Sequence, residues 1–377
     1  MSTASRPLTR MHWLVPAVLL AAGTAALWSG DLDRRVARAF YSPTDPTHWP
    51  QGYEQPWAFL YRWGVFPAIG VAAAGLLLLA WSLGRKKRDA NAQFLRRSGL
   101  TIVLGIALGP LLLVNGVLHE TWGRPRPRQV VEFAGSQAFR AVLQPRWDPS
   151  AQSFPTGHAA AGYGLFVVYF ALRQARPRLA WLGLATALVL GSVTAWARIA
   201  QGGHWLSDGL WSAGIVWFAA WLIARALERR PAKLPPNNRD DSPSGTFRTW
   251  GAAACGSGAL ILCAAYLAFL PLMERMDREI ALPPGANEVQ IEWSGPPAEV
   301  HLLSASGTVA RITTTLSGRG APWVGLADHW EPQAGPDGSV RGQYSISVSG
   351  HRLSQNLELW IAAPADVRVM LRHKPQG

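Results

Sequence analysis

Cysteine is almost absent from this sequence, whose 377 residues contain only Cys255 and Cys263. Both cysteines lie inside one apolar run, where a thiol packs as a small apolar side chain. The sequence therefore predicts neither a disulfide framework nor a metal centre built on cysteine.

Charged residues are also scarce, at 16% of the chain, whereas hydrophobic residues make up 49%. This balance excludes an ordinary soluble protein of this length. Several apolar runs approach the roughly 20 residues that a helix needs to cross a bilayer. The first run, Trp13–Trp28, could be mistaken for a signal peptide. The loop after it lacks a clean cleavage signature, which favours a retained helix. The sequence predicts seven spans, near Trp13–Trp28, Val65–Leu83, Leu100–Leu118, Ala159–Leu172, Ala180–Trp196, Leu210–Ala226 and Trp250–Leu270.

The net charge of +13 follows membrane topology rather than a nucleic-acid surface, and no nucleic-acid partner is expected. Membrane proteins carry their excess lysine and arginine on cytoplasmic loops. The loops after spans two, four and six carry the basic clusters Arg85–Arg88, Arg96–Arg97, Arg173–Arg178 and Glu228–Lys233. This pattern predicts a cytoplasmic N-terminus. The loops after spans one, three and five, and everything after span seven, then face outward.

A polar, proline-rich stretch at 231–249 separates the first six spans from the last and predicts a domain boundary. We therefore expect a six-span membrane core at 1–230, with its motifs between about 119 and 208. A cytoplasmic linker at 231–249 and a seventh span at 250–270 follow. The last part, 271–377, is predicted to be an outward-facing β-rich domain.

The segment from residue 271 onwards has the period-two alternation of β-strands and is punctuated by glycine and proline. Strand-like segments are Glu288–Trp293, Thr308–Thr314, Gln343–Ser349, Leu357–Ala363 and Asp366–Arg372. The predicted fold class is an all-α polytopic membrane bundle with a seventh span and a C-terminal all-β, sandwich-like domain. The histidines of this domain lack metal-ligand spacing. The domain as a whole is expected either to shape substrate access or to bind an envelope partner.

Polar groups at span ends are functional candidates in a membrane protein. The segment that joins spans five and six contains His204 and Asp208, which lie four residues apart and hence on one face of a helix. A carboxylate there can accept the proton of one imidazole nitrogen and leave the other free to attack. Arg198, in the same connection, can bind two oxygens of a phosphate.

The stretch Ser153–His158, SFPTGH, opens span four on the outward side. Pro155 suits a helix start, and Gly157 allows close backbone approach to a ligand. The first amide groups of a helix form an anion site, to which Thr156 adds a hydroxyl. His158 then lies beside the anion, where it can donate a proton to a leaving oxygen.

The stretch His119–Gln129 closes span three on the same side and contains Arg124, Arg126 and Arg128. Three outward arginines run against the positive-inside trend, and Glu120 alone does not balance them. Taken singly, each of the three stretches has an ordinary structural interpretation: a paired histidine, a helix cap, or a loop that contacts headgroups. Together on one side of the membrane, they indicate a site for a phosphorylated ligand.

These residues resemble the type 2 phosphatidic acid phosphatase family, whose fold is shared with bacterial acid phosphatases and vanadium haloperoxidases. The family's motifs are Lys-x6-Arg-Pro, Pro-Ser-Gly-His and Ser-Arg-x5-His-x3-Asp. They correspond here to His119 through Arg126-Pro127, to Pro155 through His158, and to Ala197-Arg198 through His204 and Asp208. The resemblance covers about residues 55–226 and not the C-terminal part.

The resemblance implies a role for each matched residue. His204 is then the nucleophile that forms a phosphohistidine, Asp208 orients it, and His158 protonates the leaving group. The phosphoryl oxygens are held by Arg126, Arg198, Thr156, the Gly157 amide and, at the first motif position, His119. No metal and no cofactor are implied.

The chain departs from the family motifs at three positions: His119 replaces lysine, Thr156 replaces serine and Ala197 replaces serine. The sequence has no lysine between Lys87 and Lys233, so Arg124 or Arg128 is the predicted auxiliary phosphate ligand. Histidine is only partly charged near neutral pH. If protonated His119 binds phosphate, the Michaelis constant should rise between about pH 5.5 and 8, and His119→Lys should flatten that rise.

The leading hypothesis is a metal-independent phosphatase of a lipid phosphate or pyrophosphate at the outer face of a bacterial-type inner membrane. Candidate substrates are undecaprenyl pyrophosphate, lipid A, phosphatidylglycerophosphate and phosphatidic acid. Two alternatives stay open. One is a catalytically weak lipid-phosphate sensor, binding protein or transporter, and the other is a vanadate-dependent haloperoxidase. Vanadate separates the last of these, since it should inhibit a phosphatase and activate a peroxidase.

Overall fold

The computed structural model describes residues 8–83, 90–148, 150–229, 270–305, 308–334 and 339–374, together with residues 253, 254, 257, 258, 260, 261 and 264. The predicted linker at 231–249, most of the predicted seventh span and both cysteines lie outside the described residues. The chain divides into two compact units. Unit 1 takes in Met1–Ser42 and Trp49–Tyr266, and unit 2 takes in Pro43–His48 and Leu267–Gly377.

The described part of unit 1 is helical. Its helices are α1 (Met11–Ser29), α2 (Leu32–Arg38), α3 (Trp57–Trp63), α4 (Phe66–Leu83), α5 (Ala90–Ile106), α6 (His119–Thr121), α7 (Gly157–Tyr163), α8 (Phe166–Leu172), α9 (Pro177–Ala200) and α10 (Leu206–Arg229). A π-helical segment, Ala107–Leu118, joins α5 to α6, and short 3-10 turns lie at Pro50–Tyr53, Pro127–Gln129 and Val131–Phe133. The first residue of α9 is Pro177, whose fixed φ suits a helix start.

Among the described residues, five helical stretches are long and apolar enough to cross a membrane: Met11–Ser29, Trp57–Leu83, Asn91–Thr121, Pro177–Ala200 and Leu206–Glu228. Gly157–Leu172, at the position of the predicted fourth span, is apolar but shorter. Large apolar side chains cover the outside of these helices; Leu19, Trp181 and Val189 are each more than 60% exposed. Such surfaces are solvated by lipid, so the chain is a multi-pass membrane protein.

Small residues let the helices that carry the candidate site pack closely. A Cβ atom added at Gly162 in α7 would lie 2.7 Å from the Gly191 Cα in α9. One added at Gly191 would lie 2.3 Å from the Tyr163 ring. Close helix contact through small residues is the usual packing mode in membranes. It fixes α7 closely against α9.

The described part of unit 2 consists of β-strands: β1 (Leu270–Ala281), β2 (Glu288–Ser294), β3 (Glu299–Ala305), β4 (Val309–Gly320), β5 (Gly325–Ala334), β6 (Ser339–Ser349), β7 (Arg352–Pro364) and β8 (Arg368–His373). They form two four-stranded sheets, with strand orders β1-β4-β7-β3 and β5-β6-β2-β8. Three of the strand pairs are parallel, namely β2–β6, β2–β8 and β3–β7. The prediction of a separate β-rich C-terminal domain is confirmed.

Buried side chains from both sheets form one apolar cluster in unit 2. In β2, Val289, Ile291 and Trp293 are buried while the residues between them are not, which is the alternation that predicted this strand. A polar contact accompanies the apolar cluster. Arg278 of β1 pairs with the buried carboxylate of Asp328 in β5 at 2.9 Å.

The segment Pro43–His48 belongs to unit 2 although it precedes the rest of that unit by more than 200 residues. Asp45 accepts two hydrogen bonds from the Arg275 guanidinium of β1, at 2.8 and 3.0 Å. Both side chains are largely buried. The contact joins two parts of the sequence that lie 230 positions apart.

Candidate active site

Three segments that are far apart in sequence meet at one end of the helices of unit 1. They are the stretches at 119–129, 153–158 and 197–208, which the sequence predicted to face the same side. The indole of Trp205 donates a hydrogen bond to the Pro125 carbonyl at 2.7 Å. The His204 ring lies against the Ser153 carbonyl, with Nδ1 and O 2.5 Å apart. The site residues therefore lie at helix ends and in the loops between helices.

His204 is buried, and its ring is oriented by a backbone group. A carbonyl oxygen can only accept a hydrogen bond, so Nδ1 carries the proton and Nε2 keeps a lone pair. Burial, together with the neighbouring Arg198, His119 and Arg126, holds the pKa of His204 well below its ordinary value. The imidazole is therefore neutral near pH 7, as a nucleophile requires.

Asp208 differs from its predicted role as the direct partner of His204. Its nearest oxygen, Oδ2, lies 3.8 Å from His204 Nδ1, beyond hydrogen-bond distance. Oδ2 instead accepts hydrogen bonds from the Ser153 hydroxyl at 2.6 Å and from the Trp205 amide at 2.8 Å. Asp208 thus holds the residue whose carbonyl orients His204. The physical reason is that the backbone of Ser153 lies closer to the ring than the carboxylate does.

Arg124 also differs from its predicted role as an auxiliary phosphate ligand. The side chain is fully buried and pairs with Asp208 Oδ1 at 2.6 Å and with Asp33 Oδ2 at 2.8 Å. Further hydrogen bonds run to the Ser207 hydroxyl and to the Arg140 carbonyl. A guanidinium bound to two carboxylates is already neutralised, so Arg124 supports the site from behind and does not face a phosphate.

Thr156 and Gly157 form the start of α7. The Thr156 amide donates to the Ser212 hydroxyl of α10 at 3.0 Å. The buried Thr156 Oγ1 has no hydrogen-bond partner among the residues that the structure describes. A Cβ added at Gly157 would lie 2.1 Å from Asn115 Oδ1. A side chain at position 157 would therefore have to displace Asn115, a contact that the sequence did not predict.

Arg198 lies in the last turn of α9 and is almost completely buried. Its guanidinium hydrogen-bonds to the Gln201 side chain and lies 4.6 Å from the centre of the Tyr61 ring. Within the described part of the chain, the buried Nε atom has no hydrogen-bond partner. A buried donor without an acceptor costs free energy, so this position favours an anionic ligand.

Arg126 lies at the edge of the same cluster and donates from Nε to the Gln152 carbonyl at 3.1 Å. Burial and the neighbouring charges of Arg128 and Arg198 lower its pKa to about 10, so it is still protonated at neutral pH. A bound phosphate would relieve this repulsion between like charges. Arg128 itself is exposed, and its predicted auxiliary role remains a prediction.

His119 is at the junction of the π-helical segment and α6. Its Nδ1 atom lies 2.9 Å from the Pro155 carbonyl, and its ring centre lies 6.0 Å from that of His204. The side chain therefore reaches the site from the position of the family lysine. One of its two nitrogens is already bound to protein, which leaves Nε2 as the atom available to a ligand.

Tyr61 of α3 belongs to the site although the sequence gave no sign of it. Its ring stacks on the His158 ring, with centres 4.9 Å apart and planes inclined by 22°. The same ring lies beneath the Arg198 guanidinium. Tyr61 thus contacts both the predicted proton donor and a predicted phosphate ligand. An aromatic residue in an aromatic-rich apolar chain has no distinguishing pattern, so sequence reasoning could not select it.

Two further polar residues, Asp33 and Ser207, were also missed. Asp33 of α2 is buried and accepts hydrogen bonds from the Ser207 amide and hydroxyl at 2.8 and 2.6 Å. The one available signal was an aspartate close to the outward end of the first span. Among the described residues, no group of histidine, cysteine or carboxylate side chains is arranged to hold a metal ion.

The site can therefore bind an oxyanion between one hydroxyl and two guanidinium groups and present a neutral imidazole to it. Thr156 Oγ1, Arg198 and Arg126 supply the donors, His204 the imidazole predicted to be the nucleophile, and His158 a second imidazole. These are the components of phosphoryl transfer through a histidine.

Comparison with known proteins shows which proteins this chain resembles. Residues 98–232 match the sequence profile of the PAP2 superfamily. A lipid A 4'-phosphatase of Francisella tularensis subsp. novicida (strain U112) is 29% identical over 202 residues, which span 53% of this chain and 88% of that protein. A lipid A 4'-phosphatase of Rhizobium leguminosarum is 34% identical over 179 residues, which span 42% of this chain and 75% of that protein.

A solved structure is also similar to this chain. It is the crystal structure of a transmembrane PAP2 type phosphatidylglycerolphosphate phosphatase from Bacillus subtilis, with 18% identity. The similarity covers 59% of this chain and 99% of that chain at a TM-score of 0.37.

Proposed function

Because this chain belongs to the PAP2 superfamily, we propose that it is a membrane lipid phosphatase that works through a phosphohistidine. The observation that carries the proposal is the pair of unpaired buried donors, Thr156 Oγ1 and Arg198 Nε, in the cluster of residues that contains a neutral His204. Buried polar atoms are nearly always paired. Two unpaired donors beside a nucleophile are best explained by a phosphoryl group that binds there.

In the proposed reaction, the lone pair of His204 Nε2 attacks phosphorus. The bond from phosphorus to the lipid oxygen, or to the bridging oxygen of a pyrophosphate, breaks at the same time. His158 donates a proton to that oxygen. A water molecule then gives a proton to His158 and attacks the phosphohistidine, which releases inorganic phosphate and restores His204.

The positive residues around the site lower the energy of the transition state in this proposal. Arg198 is almost completely buried and Arg126 is partly buried, so their charges are less screened than in water and act more strongly on the phosphoryl oxygens. His119, whose ring centre lies 6.0 Å from that of His204, is the third proposed phosphate ligand. Arg124 has no direct part, since its charge is bound by Asp33 and Asp208.

The proposed substrate is a phosphorylated lipid whose headgroup reaches the membrane surface. The site residues lie at the ends of membrane-length helices, which is the depth of a headgroup. Because two of the similar proteins are lipid A 4'-phosphatases, lipid A is the first substrate to test. The proposed location of the site is the outer face of the inner membrane, opposite the basic loops.

The test is phosphate release by the purified full-length protein in detergent. The panel contains lipid A, undecaprenyl pyrophosphate, phosphatidylglycerophosphate and phosphatidic acid. We expect turnover of at least one lipid and loss of at least about 1,000-fold in His204→Ala. His351→Ala, a change at an exposed histidine of unit 2, is the matched control and should keep full activity.

Equal release by His204→Ala and the unaltered protein would overturn the proposal. Lipid binding without turnover at any pH between 5 and 8 would instead favour a lipid-phosphate sensor or transporter. When the reaction with a labelled substrate is quenched without acid, we expect labelled phosphohistidine on the protein. Absence of the label from a protein that releases phosphate would contradict the mechanism.

A further inference from the structure

A buried carboxylate outside the three motif segments is connected to the candidate nucleophile. Asp33 of α2 has about 5% of its surface exposed. Its Oδ2 accepts hydrogen bonds from Arg124 at 2.8 Å and from the Ser207 hydroxyl at 2.6 Å. Its Oδ1 accepts the Ser207 amide at 2.8 Å. The Ser207 amide lies in the first turn of α10, so Asp33 fixes the start of the helix that carries Asp208.

The connection continues without a gap to His204. Arg124 binds Asp33 on one side and Asp208 on the other, at 2.8 and 2.6 Å. Asp208 accepts the Ser153 hydroxyl at 2.6 Å. The Ser153 carbonyl in turn lies 2.5 Å from His204 Nδ1. Each of the five side chains is at least nine-tenths buried, so water does not compete for these hydrogen bonds.

Charge also connects Asp33 to the site. The guanidinium of Arg124 is fully buried and shared between two carboxylates. Without Asp33, the positive charge of Arg124 would be balanced by Asp208 alone, and the Ser207 hydroxyl and amide would lose their acceptor. Removal of one member of a buried ionic network leaves its partners unpaired, and we expect their side chains to change position.

We propose that Asp33 is a positioning residue for the nucleophile: it holds Arg124, and through Asp208 and Ser153 it fixes the ring of His204. The inference rests on the proposed hydrolytic function of the site. It adds to that site a chain segment that precedes the matched residues 98–232. The short helix between the first two membrane-length helices is then part of the catalytic apparatus.

The test compares Asp33→Asn with Asp31→Asn in the full-length protein. Both changes replace a carboxylate by an amide at nearly the same place in the chain. Asp31 pairs at the surface with Arg34 at 2.7 Å and is 42% exposed, so it is the matched control. We expect kcat to fall about 10- to 100-fold in Asp33→Asn, the usual effect of removing an outer partner of a site residue. KM should stay within about threefold, because Asp33 touches none of the proposed phosphate ligands.

The pH profile separates positioning from a merely structural role. His204 is faced by Arg198, His119, Arg126 and Asp208. Loss of the Asp33 charge leaves Arg124 less balanced behind Asp208, which disfavours a positive imidazole. The acidic limb of kcat/KM should therefore move to lower pH by roughly half a unit. A variant that is only less stable would lose active protein without moving that limb.

Ser207→Ala is the second variant, in case Asp33→Asn does not fold. It removes only the hydroxyl between Asp33 and Arg124 and leaves their charges in place, so kcat should fall about threefold to tenfold with KM within about threefold and the limb unmoved. Unchanged kcat in the folded variants would overturn the inference, as would a lower kcat with an unmoved limb in Asp33→Asn or a raised KM in Ser207→Ala. The unaltered protein is assayed in parallel. If it releases no phosphate the proposed function fails, whereas normal turnover with unaffected variants overturns only the role of Asp33.

Discussion

His204 and Asp208 lie one helical turn apart, yet the carboxylate reaches the imidazole only through Ser153. The direct distance from Asp208 Oδ2 to His204 Nδ1 is 3.8 Å, which is too long for a hydrogen bond. The carboxylate binds the Arg124 guanidinium and two hydrogen-bond donors more closely than it approaches the ring. We therefore expect Asp208 to affect the position of the His204 ring more than the basicity of that ring.

The pH dependence of the reaction should reflect the state of His204. Its pKa is lowered by burial and by nearby positive charges, and attack on phosphorus needs the neutral ring. We expect the acidic limb of kcat/KM to lie below pH 6.5, the ordinary value for histidine. The measurement is kcat/KM from pH 4.5 to 8, with size-exclusion chromatography at each pH, because a buried neutral histidine also destabilises the fold as pH falls. A limb at or above pH 6.5 would contradict this assignment.

Tyr61 should contribute more through its ring than through its hydroxyl, which is within hydrogen-bond reach of Arg198. Tyr61→Leu removes the surface on which His158 stacks and over which the Arg198 guanidinium lies. Such contacts are worth about 1 kcal/mol each, so kcat/KM should fall roughly tenfold or more. Tyr61→Phe keeps the ring and should stay within about threefold of the unaltered protein. Steady-state kinetics on both variants checks this, and equal losses in both would assign the effect to the hydroxyl.

Spacing within the motifs predicted the residues that lie at the site, because a motif places its side chains a fixed number of residues apart on one local structure. It could not predict Arg124 as a supporting residue. The direction of that side chain depends on Asp33, which lies 91 residues earlier in the chain. Tyr61 was hidden for the same reason: its partners come from α7 and α9, and no local pattern marks it.

At the scale of elements, the start of α7 depends on how closely it approaches the π-helical segment. Asn115 of that segment donates from Nδ2 to the Pro110 carbonyl at 2.6 Å. Its Oδ1 atom occupies the space that a side chain at Gly157 would need. A side chain at position 157 can therefore be accommodated only if Asn115 or the start of α7 moves.

Gly157→Ala should impair the enzyme by moving Asn115 or the start of α7. The added methyl group would lie 2.1 Å from Asn115 Oδ1, and His158 is the next residue. We expect kcat to fall at least tenfold, since overpacking of this kind costs about 1–3 kcal/mol. Gly70→Ala in α4, where no atom lies within 4 Å of the added carbon, is the matched control and should keep full activity.

A second change tests the cause of that loss. In the double variant Gly157→Ala with Asn115→Ala, the collision is removed, and kcat should recover relative to Gly157→Ala alone. No recovery would indicate that the methyl group interferes with the phosphate rather than with Asn115.

The sequence predicted the apolar helices more completely than the strands. A membrane span has a strong signal, because some 20 apolar residues in succession match the thickness of a bilayer and rarely occur in soluble domains. Alternation identified β2, but β1 begins directly after the apolar run and carries charges along its length, so it was not recognised. The parallel pairing of β2 with β6 and β8 depends on contacts between distant segments and leaves no local pattern.

At the scale of the whole molecule, unit 2 is completed by a segment from the beginning of the chain. Arg275→Ala should release Pro43–His48 from β1, because Asp45 would lose both of its hydrogen bonds to the guanidinium. The pKa of Asp45 is lowered despite its burial by the hydrogen bonds from Arg275 and Thr47. This contribution to stability is present at neutral pH and is lost as pH falls through the carboxylate range.

The expected size of the effect is about 2 kcal/mol, or roughly 30-fold faster amide exchange in Pro43–His48 and β1 at neutral pH. Hydrogen–deuterium exchange on the full-length protein measures it. Arg311→Ala is the matched control, since Arg311 pairs with Glu279 at the surface and should contribute less than about 0.5 kcal/mol. Similar exchange in the two variants would show that the Asp45 contact does not hold the segment.

The membership of Pro43–His48 in unit 2 also sets an order of events during synthesis. The ribosome makes this segment early, and the guanidinium that it binds follows 230 residues later. Until β1 emerges, the carboxylate of Asp45 has only its local hydrogen bonds from Thr47. Unit 2 can then close only after β1 has been translated, and a fragment that begins at Leu267 would lack one of its own parts.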